Sequence, residues 1–513
     1  MPTVTVSAAS GSERRIKASR GALLLDVLLD AGYKVPTSCG GNGRCGNCAV
    51  AVLKDGEMKN VLSCRERVFD DIEVIFSEKE AETYEKALAA CGEVCAAVDI
   101  GTTTVAVRLS DPVTGEEVYR SLSENPQRRY GADVMTRIKY CTENADGTEL
   151  LSKLIRLAVS DALSSAVKAV SAKNVIRAVI CGNTAMISLL FCEDVSTLGR
   201  APYKAPVISS KTVAAQSLGL SAIGKDTEVY VLPAVSAFVG GDITAGVYAL
   251  YKTRKELKTP GYAAILTDLG TNAETVLLSG GNDPGALIAG ACSCAAGPCF
   301  EGGNISCGMP SGLGAIYDAR LEDGKIRFSV KGDAAPAGVC GTGLFSLVSL
   351  LIRTGAVDET GRMLTEGEAL ESCAAKDIAR RVTGKGFYIA DGVFLTQKDV
   401  REFMTAKAAV FAGISVLMKK RGAEPSSISD LFISGGFSES LKREAVRTVK
   451  LFPGGLCEKS TGCENTALLG AAILSVSDEN ERRICEKIAS GACTVELAGD
   501  PDFSVAFLDA LTF

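Results

Sequence analysis

Two segments, Val98–Leu109 (VDIGTTTVAVRL) and Leu266–Leu278 (LTDLGTNAETVLL), follow one pattern. Each is an apolar run, Asp-x-Gly-Thr, then a second apolar run, which reads as a strand, a tight turn and a returning strand. Its recurrence constrains the fold more than any other feature, because it implies a duplicated unit of about 160 residues. From Ala96 onward, strand-like runs ending in Gly/Thr/Asn turns alternate with helical patterns, the signature of an α/β architecture. A third turn, Leu431–Leu441 (LFISGGFSESL), reads as strand, double glycine and helix.

The turns carry a chemistry. A strand ending in Asp puts a carboxylate at the mouth of a cleft, and the Gly and Thr that follow offer N–H groups and hydroxyls to phosphate oxygens. Two copies on opposed lobes would grip one triphosphate from both sides, with Asp99 and Asp268 holding Mg²⁺ or its waters. A single copy would be as well explained by a ligand-free strand turn.

Residues 1–76 read as a separate small domain. Strands are expected at Thr3–Ser7, Ala49–Leu53 and Ile72–Phe76, and a short helix at Ala22–Leu29. Between them lies CGGNGRCGNC, so that Cys39, Cys45, Cys48 and Cys64 are spaced C-x5-C-x2-C-x15-C. Glycines let the backbone curl around a metal centre and aim N–H groups at its sulfurs. The spacing is one residue longer in its first gap than that of plant-type ferredoxins, and resembles the vertebrate-type [2Fe–2S] ferredoxins. A four-cysteine zinc site is the competing reading, and it usually pairs two C-x2-C units where this chain has one. A second cluster on Cys292, Cys294, Cys299 and Cys307, or on Cys91 and Cys95, matches no ferredoxin spacing; buried thiols are the simpler account.

The remaining domains are expected as a charged linker at 77–95, a first lobe at 96–258, a second at 259–475 and a tail at 476–513 that carries no functional signal. The linker could reach about 27 Å as a helix or roughly 60 Å extended. Composition narrows the function. The net charge of −6 lacks a dense basic stripe, which argues against nucleic acid as a partner. The first residues show no basic segment leading into an apolar run, and no run approaches the roughly 20 apolar residues of a membrane span, so a cytoplasmic location is expected. With 19 cysteines spread through 513 residues, metal ligation and buried thiols fit better than a disulfide scaffold. The chain has no histidine, which removes imidazole acid–base chemistry and Rieske-type ligation together.

The three turns resemble the phosphate-1, phosphate-2 and adenosine motifs of the ASKHA superfamily, and Leu232–Val247 and Gly462–Ala472 resemble its two connecting helices. More narrowly, CGNTAM, SAFVGGDITAGV, LTDLGTNAE, CSCAAGPCFEGGNISCGM and DVREFMTAKAAVFAGI, behind the cysteine loop, resemble the reductive activators of corrinoid proteins over nearly the whole chain. The resemblance implies an α+β β-grasp ferredoxin domain followed by a duplicated actin-like ATPase fold. It implies [2Fe–2S], ATP and Mg²⁺ as cofactors, and a corrinoid protein or methyltransferase component as partner, whose Co(II) is returned to Co(I). An electron donor such as a reduced ferredoxin would reload the cluster, and a homodimer is allowed for. A plant-type [2Fe–2S] centre lies near about −400 mV, Co(II) is harder to reduce, and each 59 mV costs about tenfold in a one-electron equilibrium; ATP would supply the difference.

The residues carry over as follows. Cys39, Cys45, Cys48 and Cys64 hold the cluster; Asp99, Gly101, Thr102, Thr103, Asp268, Gly270, Thr271 and Asn272 hold phosphates and metal; Gly435 and Gly436 abut the adenosine. Asp242 is the first candidate to orient the attacking water and Glu274 the second. The family pattern commonly has a histidine after Gly-Asn-Thr, where this chain reads Ala185–Ser188, so an oxygen ligand is what it could offer to cobalt, with Ser293 as the candidate. Two other classes stay open: a small-molecule kinase with a ferredoxin appended, and an ATP-driven chaperone of a corrinoid protein.

Overall fold

The computed structural model describes residues 1–8, 13–31, 33, 35, 48–54, 57–76, 92–436 and 438–513. Cys39, Cys45, Cys91 and most of the expected linker lie outside them.

In the N-terminal domain the strands lie side by side in the order Glu13–Lys17, Thr3–Ala8, Ile72–Phe76, Ala49–Lys54 and Glu57–Leu62. Thr3–Ala8 and Ile72–Phe76 run parallel and the other neighbours antiparallel. The helix is Leu24–Asp30, preceded by a two-residue strand at Ala22–Leu23 that pairs with Arg67–Val68. Leu24, Leu25 and Leu28 pack with Val4, Val6, Val52 and Val74 in one core. Glu13–Lys17 and Glu57–Leu62 are absent from the sequence expectation, and they are the two edges of this sheet. Edge strands face water on more than one side, so ERRIK and EMKNVL carry charge where an interior strand would alternate.

The two large lobes repeat one topology. In the first, Glu117–Glu124, Thr104–Ser110 and Glu93–Ile100 form an antiparallel meander, and Asn174–Gly182 and then Glu228–Val231 add in parallel. In the second, Ile288–Cys294, Ala273–Ser279 and Ala263–Leu269 form the meander, and Asp430–Ser434 and Ser460–Gly462 add in parallel. The expected duplicated α/β fold is what is found. Its first strand begins at Glu93, inside the segment expected as linker, and Val94 and Cys95 are buried there.

Alternation along the strands decides which residues face the other lobe. Val94, Ala96, Val98 and Ile100 enter the first lobe's own core with Leu151, Ile155, Val159 and Leu163 of helix Gly147–Ala169, while Ala97 enters the core between the lobes. Asp99 has the parity of Ala97, so it lies on the inter-lobe face. In the second lobe Ala264, Leu266, Val276, Leu278 and Ala291 enter the inter-lobe core, and by the same parity Asp268, Glu274 and Ser293 share that face.

The inter-lobe core is closed by two helices, Gly241–Thr253 and Thr466–Ser475. They cross closely enough that a Cβ on Gly470 would sit 1.9 Å from the Ala245 carbonyl oxygen, and one on Gly246 would sit 2.8 Å from the Thr466 hydroxyl. Residues 476–513 are built into this frame. Cys485 and Ile488 of helix Glu479–Gly491 join the inter-lobe core, and Thr494 bridges in parallel to Ala291. Among the described residues no helix is long and apolar enough to cross a membrane.

Candidate functional site

Strand pairing gathers the expected residues into one row. Asp268 lies opposite Glu274, Glu274 opposite Ser293, and Asp268 beside Ser434. Directly opposed residues project on the same face, so Ser293, Glu274, Asp268 and Ser434 run across four strands at the edge of the inter-lobe space. From the first lobe Asp99 faces it, paired in register with Cys181. Asp242 enters from the first turn of helix Gly241–Thr253, where its Oδ1 accepts from the Ile243 amide at 2.8 Å. Gly240 allows this entry: a Cβ there would stand 2.5 Å from the Asn183 Cα and 2.7 Å from the Gly182 oxygen.

Burial raises all four carboxylates, and charges within the group raise three of them further. Burial pushes Asp99, Asp242 and Glu274 above the ordinary carboxylate range, and Asp268 up to about 7. Beyond burial, Asp242 feels the charges of Asp99 and Asp268, and Glu274 those of Asp242 and Asp268. Among the described residues no lysine or arginine pairs with any of the four. Asp99 is steadied by Asn465, whose Nδ2 donates to Oδ2 at 2.7 Å, and Asp268 by Ser434. Mg²⁺ takes one or two carboxylates beside its waters and the substrate's phosphates, and Asp99 and Asp268, one from each lobe and neither paired with a cation, fit that role.

Both Asp-x-Gly-Thr turns are closed by the glycine amide, the first one residue longer than the second: Gly101 donates to the Thr104 oxygen at 2.9 Å, and Gly270 to the Asn272 oxygen at 3.0 Å. Gly182 and Gly435 close the neighbouring strands equivalently. A Cβ on Gly182 would lie 2.6 Å from the Ile100 oxygen, and one on Gly435 2.5 Å from the Leu269 oxygen. Gly435 also has φ +119, whereas the space beside Gly436 is open.

Four side chains that hold these turns are missing from the sequence expectation. Asn183 caps helix Thr184–Leu190 and donates its Nδ2 to the Thr102 hydroxyl at 3.0 Å; Asn465 caps Thr466–Ser475 and reaches Asp99. The repeated Asn-Thr-Ala at 183–185 and 465–467, ahead of apolar helices, was a usable signal for both. Arg137 is fully buried behind the first turn, where its Nη2 donates to the Thr102 oxygen at 2.6 Å and its Nη1 to Gln127 Oε1 at 3.1 Å. Burial lowers its pKa to about 10 and leaves a fixed positive charge beneath this turn. The fourth is Glu301, which accepts from both Thr103 and Thr271.

In the N-terminal domain Cys48 immediately precedes strand Ala49–Lys54, and Cys64 follows Glu57–Leu62; the pairing of Ala49 with Leu62 brings them together. Ser63, fully buried, fixes the approach by donating its amide and its hydroxyl to the Cys48 oxygen at 3.0 and 2.9 Å. The two sulfurs are 3.1 Å apart and both cysteines are buried. That separation is far beyond a disulfide bond, and it lets both point at one centre, so this half of the ligand set fits an iron–sulfur cluster. Cys292 and Cys294 point the opposite way from Ser293, into the second lobe's core. They donate to the oxygens of Gly413 at 3.6 Å and Ala273 at 3.4 Å, with burial pushing the Cys294 thiol up to about 12. Among the described residues no three Cys, Asp or Glu side chains converge closely enough to hold a metal ion by themselves.

Fold and site together define a two-lobed ASKHA-type nucleotide-binding protein carrying an iron–sulfur domain. Family models agree segment by segment: "2Fe-2S iron-sulfur cluster binding domain" matches 8–68, "RACo middle region" 94–254, and "C-terminal domain of RACo the ASKHA domain" 263–513. The chain belongs to this RACo family of corrinoid reductive activators, as its motifs led one to expect. It is 26% identical to the corrinoid activation enzyme RamQ of Eubacterium limosum, with 97% of each chain covered. It is 24% identical to the [Co(II) methylated amine-specific corrinoid protein] reductase of Methanosarcina barkeri, over 57% of this chain and 54% of that one. The solved structure of a reductive activator for corrinoid, iron–sulfur protein superposes with a TM-score of 0.72 at 23% identity, covering 100% of this chain and 98% of the other.

Proposed function

We propose that the chain is an ATP-dependent reductive activator, which passes one electron to the Co(II) of a corrinoid protein or methyltransferase component and restores Co(I). The observation that carries this reading is the meeting of both Asp-x-Gly-Thr turns, joined through Glu301, with four buried carboxylates between two lobes, on a chain whose N-terminal domain brings Cys48 and Cys64 together. Cys39, Cys45, Cys48 and Cys64 hold a [2Fe–2S] cluster, which supplies the one-electron donor. A low-potential donor such as a reduced ferredoxin restores that electron.

The lobes bind Mg-ATP. Gly101, Thr102, Thr103, Gly270, Thr271 and Asn272 offer amides and hydroxyls to the phosphates; Asp99 and Asp268 hold Mg²⁺ or its waters; Gly435 and the open flank of Gly436 take the adenosine. Arg137 offsets phosphate charge from beneath. Asp242 orients the attacking water: one of its oxygens is held by the Ile243 amide, and its raised pKa suits proton acceptance near neutrality. Glu274 is the second candidate for that role. Ser293, opposite Glu274 in register, offers a hydroxyl toward the partner's cobalt in a chain without histidine.

Binding and loss of the terminal phosphate close and open the lobes about the two crossing helices. Such a motion drives electron transfer only if the partner's two oxidation states bind the two lobe states differently. ATP hydrolysis should therefore rise severalfold with a corrinoid protein in the Co(II) state and stay at its basal rate with the same protein in the Co(I) state. Equal stimulation by both would remove the coupling.

A further inference from the structure

We infer that Glu301 is the residue by which this site tells a triphosphate from a diphosphate: in the nucleotide-free chain its carboxylate occupies the seat of the terminal phosphate. The inference deepens the ATP-site reading above and rests on it. A single oxygen, Glu301 Oε2, accepts from the Thr103 hydroxyl at 3.0 Å and from the Thr271 hydroxyl at 2.7 Å. Those hydroxyls belong to the two Asp-x-Gly-Thr turns, one from each lobe. An anionic oxygen held between them is what an outer phosphate oxygen becomes when both turns grip it.

Glu301 reaches this position from a preformed support. It ends the short turn Pro298–Glu301, which is anchored where the Gly297 amide donates to the Thr271 oxygen at 2.8 Å. Gly297 and Gly302 flank the turn at φ 78 and 83, and a Cβ on Gly302 would stand 2.7 Å from the Met309 oxygen. The side chain is only partly buried, so it can swing into solvent without opening the core.

Two anions cannot share one pair of hydroxyls. A terminal phosphate must displace the carboxylate, whereas a diphosphate leaves it in place. Three residues separate the turn from strand Ile288–Cys294, which carries Ser293, so the turn connects the phosphate seat to the segment assigned to the partner. Glu301 thus opposes triphosphate binding and reports it. A metal ligand or a water-orienting base at this position would instead support triphosphate binding or turnover.

The test uses the full-length protein, with Glu301→Gln and Glu301→Ala beside wild type, titrated calorimetrically with the Mg²⁺ complexes of a β,γ-imido ATP analogue and of ADP. Glu301→Gln keeps the shape and an acceptor oxygen but removes the charge. Both variants should bind the triphosphate roughly tenfold more tightly, with ADP affinity unchanged, so that the preference for triphosphate rises. An unchanged preference, or weaker triphosphate binding in either variant, overturns the inference while leaving the ATP site intact. Wild-type protein that binds neither nucleotide would remove the ATP site, and this inference with it.

Discussion

Cys64→Ser is expected to abolish reduction of a Co(II) corrinoid protein, lowering it to the rate seen with no activator present. Cys64 is buried 3.1 Å from Cys48, and Ser63 holds the pair in place, so the substitution removes one of two sulfurs that the strands bring together. Serine offers a hard, protonated oxygen where iron–sulfur ligation takes thiolate. The variant should also lose the visible absorption of the reconstituted protein and the paramagnetic signal after dithionite. Nucleotide binding by the two lobes is the folding control. A kinase carrying an idle ferredoxin, or an ATP-driven clasp of a corrinoid protein, would keep working without the cluster. Corrinoid reduction that survives in Cys64→Ser contradicts the assignment.

The second large effect belongs to Asp268. Its pKa stands at about 7, raised first by burial, then by the charges of Asp99 and Glu301, against an ordinary aspartate value of about 4. A carboxyl raised by folding is at full advantage below its unfolded pKa, and that advantage is lost as pH rises through the folded one. The nucleotide-free, metal-free protein should therefore lose stability between about pH 4 and pH 7, and Asp99, Asp242 and Glu274 act in the same direction. Mg²⁺ offsets the repulsion, so it should raise the unfolding temperature more at pH 8 than at pH 5. Asp268→Asn should flatten the pH dependence and raise the nucleotide-free unfolding temperature at pH 8. It should also lower Mg-dependent ATP hydrolysis by about 10²-fold or more. A variant less stable than wild type at pH 8 without nucleotide would show that Asp268 is held by interactions other than this repulsion.

Much of the architecture could be read from the chain because its key signals are local. Asp99 and Asp268 stand next to last in apolar strands, and glycine follows two residues later in both turns, so the duplication showed in short segments. Strand parity then put Asp268, Glu274 and Ser293 on one face, a consequence of alternation that needed only the register of neighbouring strands. The edge strands Glu13–Lys17 and Glu57–Leu62 were not legible, because solvent on their outer side lets charge replace alternation. Asn183 and Asn465 could have been read as helix caps, but not as the residues that hold Thr102 and Asp99, because those contacts join distant parts of the chain. Arg137 and Glu301 were hidden for the same reason. A guanidinium that would ordinarily face water is buried under a turn 35 residues earlier, and the Glu301 carboxylate meets Thr103 across 198 residues.

Coupling of ATP to an uphill electron is the claim on which the roles of the two lobes and the cysteine domain converge. Its most direct measurement is anaerobic: reconstituted protein, a low-potential reductant and a Co(II) corrinoid protein are mixed, and the Co(I) absorption band is followed with and without Mg-ATP. The band should grow with Mg-ATP and stay near baseline without it or with the β,γ-imido analogue. A band of equal size and rate in the absence of nucleotide would contradict the account.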